Sequence, residues 1–118
     1  MSDAVTIYHN PRCSKSRETL SLLQSRGVEP QVVLYLETPP DAATLRHLLQ
    51  MLNLTSARDL MRQKEDLYCM LNLADSTLSE EALIQAMVEN PKLIERPIVV
   101  KRGQARIGRP PEQVLAIL

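Results

Sequence analysis

Residues 31–36 read Gln-Val-Val-Leu-Tyr-Leu, an apolar run without polar alternation. Such a run is the kind of strand buried on both faces of a parallel sheet. Upstream, Val5 to His9 reads as a short buried strand closed by Asn10-Pro11. Between the two, Ser14 to Ser25 reads as a helix with Leu20 and Leu23 on one face and Gly27 just past its end. Parallel strands need a crossover, and strand–helix–strand supplies one that is right-handed by default. The first third of the chain is therefore a βαβ unit, which rules out an all-helical or all-β plan.

Pro39-Pro40-Asp41 stops the apolar run and starts a helix to about Leu52, with Leu45, Leu48, Leu49 and Leu52 at helical spacing. From Ser56 to Asn90 the pattern is helical. Ser56 caps a short helix through Met61, and Ser79 precedes Glu80 and Glu81, acids suited to the positive end of a helix dipole. Leu83, Ile84, Met87 and Val88 form that helix's apolar stripe, and Asn90-Pro91 ends it. Ile98 to Val100 and Ala105 to Ile107 read as short strands around Lys101-Arg-Gly-Gln, a three- to four-residue hairpin connection. Pro110-Pro111-Glu112 opens a last helix to Leu118. The order βαβ, helical insertion (about 56–90), ββα predicts one α/β domain over residues 1–118. Its plan is thioredoxin-like, a four-stranded mixed sheet flanked by helices, with the insertion between the two halves.

A chain of 118 residues can bury a core of this size without disulfide staples. With no Phe and no Trp, that core must be built from Leu, Ile, Val and Met. Aromatics at 3% exclude a stacking platform for single-stranded nucleic acid. Fourteen basic and fourteen acidic residues exclude the charge footprint of a general nucleic-acid binder. Ten of the fourteen basic residues are Arg, whose planar fork suits carboxylates and oxyanions. No apolar run reaches the length of a membrane span, and the N-terminus lacks the pattern of a signal peptide. A cytoplasmic protein with reduced thiols is expected.

Two cysteines, Cys13 and Cys69, make no disulfide framework, and no His/Cys spacing suits zinc, so no metal site is expected. Cys13 lies where the first strand passes into the first helix. Unpaired amides and the dipole of a helix start favour thiolate over thiol, and Lys15 and Arg17 add positive potential. The alternative is a small apolar residue that merely begins a helix. Ser16 stands where a Cys-x-x-Cys motif has its second sulfur, so any redox cycle needs a thiol from elsewhere. A phosphatase-type Cys-x5-Arg loop is excluded, because the sixth residue after Cys13 is Thr19 and Arg17 comes too early. Cys69 lies in Leu67-Tyr-Cys-Met-Leu and reads as structural.

Arg96-Pro97 precedes the third strand, where thioredoxin-like folds place a cis-proline beside the reactive cysteine, so Arg96 is a candidate for the same cleft. Arg62 near the end of a short helix and Arg109 after the fourth strand are further candidates. Each arginine alone suits a solvated surface; together with a thiolate they would clamp an oxyanion. His9, four residues before Cys13, suits either pairing with the thiolate or oxyanion, or capping the turn. His47 reads as exposed.

Five collinear segments extend this reading: Ile7-Tyr-His-Asn-Pro-Arg-Cys-Ser-Lys-Ser-Arg17, Leu34-Tyr-Leu-Glu-Thr-Pro-Pro40, Leu60-Met-Arg-Gln-Lys64, Glu95-Arg-Pro-Ile-Val-Val100 and Gly108-Arg-Pro-Pro-Glu112. Together they resemble the glutathione/glutaredoxin-coupled bacterial arsenate reductases, and most of all a short, chromosomally encoded subgroup. The resemblance implies Cys13 as nucleophile and Arg62, Arg96 and Arg109 as the residues holding arsenate and the reduced arsenic adduct. It implies that His9 and Ser16 help keep Cys13 as thiolate, with Asn10 and Arg17 in the surrounding loop.

The implied reaction begins with thiolate attack on arsenate. Glutathione then adds to the arsenic, glutaredoxin removes it as a mixed disulfide, and arsenite leaves. Glutathione is thus a co-substrate and glutaredoxin a partner; no tightly bound cofactor, nucleic acid or membrane is expected, and the chain is expected to be monomeric. Arg12, Ser14 and Lys15 depart from better-characterised members, which carry a small residue, Gly and Thr there and often a C-terminal extension. The two added cations still favour an anion. Competing readings are a thiol-disulfide oxidoreductase on another substrate and a regulatory binding module of the Spx type, whose oxidation sensing Ser16 disfavours.

Overall fold

The computed structural model describes residues 4–118; the expectation about a leader, which begins at Met1, lies partly outside them. Residues up to Thr38 form one compact unit with Arg96–Leu118, and Pro39–Glu95 form a second.

In the first unit, strand β1 (Val5–His9) pairs in parallel with β2 (Gln31–Leu34) and antiparallel with β3 (Ile98–Lys101), which pairs antiparallel with β4 (Gln104–Ile107). The order is β2-β1-β3-β4, a mixed four-stranded sheet of the thioredoxin-like kind. Helix α1 (Ser14–Ser25) connects β1 to β2, and a 3-10 helix (Pro111–Ile117) closes the chain. Val5, Ile7 and Val99 project from one face of the sheet onto Leu23, Val114 and Ile117, forming a core of branched aliphatics without a ring. The register places Ile7 opposite Val99, so their side chains share that face.

Several local expectations are corrected. The apolar run ends as a strand at Leu34, and β2 is an edge strand with Gln31 and Val32 exposed. The polypeptide turns at Tyr35–Glu37, where the amides of Glu37 and Thr38 bond back to Leu34 O at 2.9 Å. Tyr35 is buried from within that turn. The hairpin is tighter than expected: Lys101 and Gln104 pair, leaving only Arg102 and Gly103 to turn with φ of 52° and 76°. Two successive positive φ values match the right-handed strand twist, and Gly103 accepts one without cost. The last helix is 3-10 rather than α.

In the second unit, Asp41 caps α2 (Ala42–Met51) by accepting from the Thr44 amide at 2.8 Å. Ser56 caps a 3-10 turn (Ala57–Leu60), α3 (Asp66–Met70) is short, and Ser79 caps α4 (Glu80–Glu89). The segment is not helical throughout, because turns fill 71–78. The Glu80 carboxylate joins two of these elements, accepting from the Ala57 amide at 2.6 Å and from Ser56 Oγ at 3.0 Å. Three helices end alike: Gly27, Asn53 and Asn72 take the left-handed conformation after α1, α2 and α3, closing each end with a reverse amide bond, whereas α4 ends at Asn90 with φ of -136°. No described helix is long and apolar enough to cross a membrane.

Candidate active site

Cys13 is the N-cap of α1, with extended backbone angles and no side-chain cap of its own. The turn that delivers it is built by Asn10, whose carbonyl accepts from the Cys13 amide at 3.0 Å and whose Oδ1 accepts from the Arg12 amide at 3.0 Å. Arg17 donates from Nη1 to Pro11 O at 2.9 Å, bracing the same loop. The sulfur thus stands at a helix start where backbone donors are unspent.

Ser16 lies one turn into α1 with no exposure. Its Oγ accepts from the Asn10 amide at 3.0 Å and lies 2.7 Å from His9 Nδ1. Burial first, and the charge of Arg17 second, lower the His9 pKa, so the ring is held neutral. Of the two roles open to His9, the geometry displays the structural one. The ring and the serine hydroxyl clasp the end of β1 to the start of α1.

Two arginines arrive from the other end of this unit. Arg109, just after β4, donates from Nε to Arg96 O at 2.9 Å and from Nη2 to Cys13 Sγ at 3.6 Å. Arg96 Nε and Nη1 are buried and have no hydrogen-bond partner among the described residues. The Arg96–Pro97 and Arg109–Pro110 bonds are both cis. Arg109 thus contacts the Cys13 sulfur, and Arg96, from a separate loop, acts on the same sulfur through its charge.

These surroundings decide the state of the sulfur. Cys13 is 9% exposed, and burial pushes its thiol pKa up. The amide donors of Ser16 and Lys15 at the helix start, with the charges of Arg96 and Arg109, outweigh that penalty and lower it. A thiolate ringed by guanidinium donors can attack an electrophilic centre whose oxygens those donors hold.

Arg62 belongs to the second unit, just beyond the 3-10 turn. There Met61 bridges to Ile94, and the Arg62 amide donates to Leu93 O at 2.7 Å. Its guanidinium already has two acidic neighbours, Glu65 at 2.6 Å and Glu95 at 3.9 Å. Cys69 corrects the sequence reading: it is exposed on α3, where only Tyr68 is buried, and Met70 is 76% exposed. A helix of five residues buries Tyr68, half-buries Leu67 and leaves Cys69 and Met70 outside. His47 is exposed.

Sequence reasoning missed Thr19, fully buried on α1, and Gly108, against which Thr19 packs. A glycine at the end of a strand signals close backbone approach, and Gly108 was legible on that ground. Among the described residues no cluster of three or more His, Cys, Asp or Glu is arranged to hold a metal ion.

The ArsC family model matches residues 8–117. The chain is 77% identical to Escherichia coli YfgD over 118 residues, covering all of this chain and 99% of that protein. It is 50% identical to an arsenate reductase of Neisseria meningitidis over 114 residues, 97% of each. Among solved structures, an arsenate reductase from Vibrio cholerae superposes with a TM-score of 0.97 at 62% identity, covering all of both chains. Its fold, the thiol at the head of its first helix and nearly its whole length place this chain in the ArsC family.

Proposed function

We propose that this protein is an arsenate reductase that draws its electrons from glutathione through glutaredoxin. The observation that carries the reading is the asymmetry of the two guanidinium groups. Arg109 reaches the Cys13 sulfur, while two buried nitrogens of Arg96 have no partner among the described residues. A buried donor left unpaired is expensive, and an oxyanion seated beside the sulfur would satisfy it with charge-assisted bonds. The names of the relatives supply the arsenic.

In the proposed cycle the Cys13 thiolate attacks arsenate, an S–As bond forms, and an As–O bond breaks with loss of hydroxide or water. Glutathione displaces a second oxygen, giving an arsenic(V) centre joined to two sulfurs. The glutaredoxin thiolate attacks the glutathione sulfur. An S–S bond forms, the glutathione S–As bond breaks, and its electron pair stays on arsenic, reducing it from V to III. Water then replaces Cys13 and arsenite departs. Ser16 offers no sulfur, so the second thiol is not the local partner of a Cys-x-x-Cys pair, and in this reading glutathione supplies it. Arg62 enters as the third oxyanion ligand on the family pattern. Asn10 and Arg17 shape the loop, and His9 and Ser16 hold the helix start that presents the thiolate. Glutathione chemistry of this kind suits the cytoplasm.

The test is a coupled assay with arsenate, glutathione, glutaredoxin, glutathione reductase and NADPH. Arsenate-dependent NADPH oxidation is expected, and its loss in Cys13→Ser. Turnover that survives Cys13→Ser overturns the reading. Glutathione exchange at Cys13 without arsenate turnover, unchanged in Arg96→Ala and Arg109→Ala, would replace it with a thiol oxidoreductase acting on another substrate.

A further inference from the structure

Gly108 has a buried backbone at the end of β4, and its φ lies outside the left-handed region. What it supplies is therefore space. A Cβ there would lie 2.5 Å from Thr19 Oγ1, 3.1 Å from Thr19 Cγ2 and 2.9 Å from Pro97 Cγ. Neither neighbour yields easily. Thr19 is β-branched, fully buried and tied by its hydroxyl to Lys15 O at 2.8 Å, and Pro97 is a closed ring. The Gly108 amide donates to Pro97 O at 2.9 Å, locking the strand end onto the loop that carries Arg96. The next residue is Arg109, whose guanidinium spans Arg96 O and the Cys13 sulfur.

We propose that Gly108 is a positioning residue that acts through Arg109. Its missing side chain lets the β4 terminus close onto α1 at Thr19, and only in that closed position does the Arg109 fork reach Cys13. The inference rests on reading Cys13 as the nucleophile. A methyl group at 108 would part strand from helix by several tenths of an ångström and carry the adjoining Arg109 away from the place where its Nη2 donates to Cys13 Sγ at 3.6 Å.

The experiment uses the full chain carrying Cys69→Ser, so that alkylation by iodoacetamide reports Cys13 alone. In Gly108→Ala the pH midpoint of alkylation is expected to rise and kcat/KM for arsenate to fall about tenfold or more, as small misplacements of catalytic groups do. Adding Thr19→Ala removes two of the three atoms the new methyl meets. The double variant is expected to return to within about threefold of Thr19→Ala alone, because coupled sites are non-additive. A folded Gly108→Ala with the parent's alkylation profile overturns the proposal, as does a double variant no better than the single. If Gly108→Ala does not fold, the double variant decides: titration like Thr19→Ala sustains the proposal, while a raised midpoint or failure to fold defeats it. The alkylation arm needs no arsenate, so failure of the arsenate reading would show in turnover alone and leave this arm intact.

Discussion

The Nη2 of Arg109 lies 3.6 Å from the sulfur of Cys13, 96 residues away in the chain, while its Nε holds the Arg96 carbonyl at 2.9 Å. One rigid fork thus holds two acceptors from two separate nitrogens, a fixed geometry that the flexible, single-nitrogen ammonium of lysine does not reproduce. Arg109→Lys is expected to lower kcat/KM for arsenate by about tenfold although the charge is kept, a loss typical of a misplaced catalytic group. Steady-state kinetics in the coupled assay measure it, and wild-type turnover in the lysine variant would show that charge alone suffices.

Arg96 outranks Arg109 among the charges that lower the Cys13 pKa, and its free nitrogens face no competing acceptor among the described residues. Arg96→Ala is therefore expected to be the more damaging of the two alanine changes. Loss of about a hundredfold in kcat is the usual result of removing one preorganised oxyanion donor. The two single variants assayed side by side test the ranking, which fails if Arg109→Ala is the worse.

A lowered Cys13 pKa means that thiolate persists at pH values where an ordinary thiol is protonated. Iodoacetamide alkylation of Cys13 in the folded protein should plateau at a lower pH than alkylation of the same residue in the urea-unfolded chain. The sign for stability is the same as for a depressed carboxylate. The stabilisation is present above the unfolded thiol's pKa and is lost as pH falls through the folded one. Coincident alkylation curves for Cys13 in the folded and unfolded chain would contradict this.

His9 is held below its ordinary value of 6.5 by burial and by Arg17, so the folded state favours the neutral ring. The unfolded chain binds the proton more readily, and stability should therefore fall as pH drops below 6.5. Urea midpoints measured from neutral to mildly acidic pH follow this decline. His9→Gln is expected to flatten the slope; an unchanged slope would place the titration elsewhere.

In the second unit, Glu80 joins the start of α4 to the 3-10 turn through Ala57 and Ser56. Glu80→Ala is expected to cost about 1 kcal/mol, the usual net value of such bonds at a partly exposed position. Chemical denaturation reads the loss, and a variant as stable as the parent would make the link ornamental.

Element types followed from the pattern wherever a cap or an apolar period was present. Asp41, Ser56 and Ser79 each cap the turn expected of them, and Cys13 stands at the head of α1. The failures share a cause, since a run of apolar letters does not reveal what will cover it. Val32 is exposed at a sheet edge and Leu36 in the turn that follows it, and Cys69 and Met70 lie on the open side of a short helix. In the site, Cys13 announced itself by local position, and Arg96 and Arg109 by the motifs around them. The Thr19–Gly108 contact joins residues 89 positions apart by counting along the chain, and no local period encodes it.

The clasp between His9, Ser16 and the Asn10 amide bears on how such a loop could change its chemistry. Putting sulfur at position 16 would create a Cys-x-x-Cys pair with Cys13, which this sequence lacks. A thiol, however, is a weak donor and acceptor, and it would replace an oxygen that tethers two elements in a space with no exposure. A second local sulfur would thus come at the expense of the clasp that fixes the loop presenting Cys13.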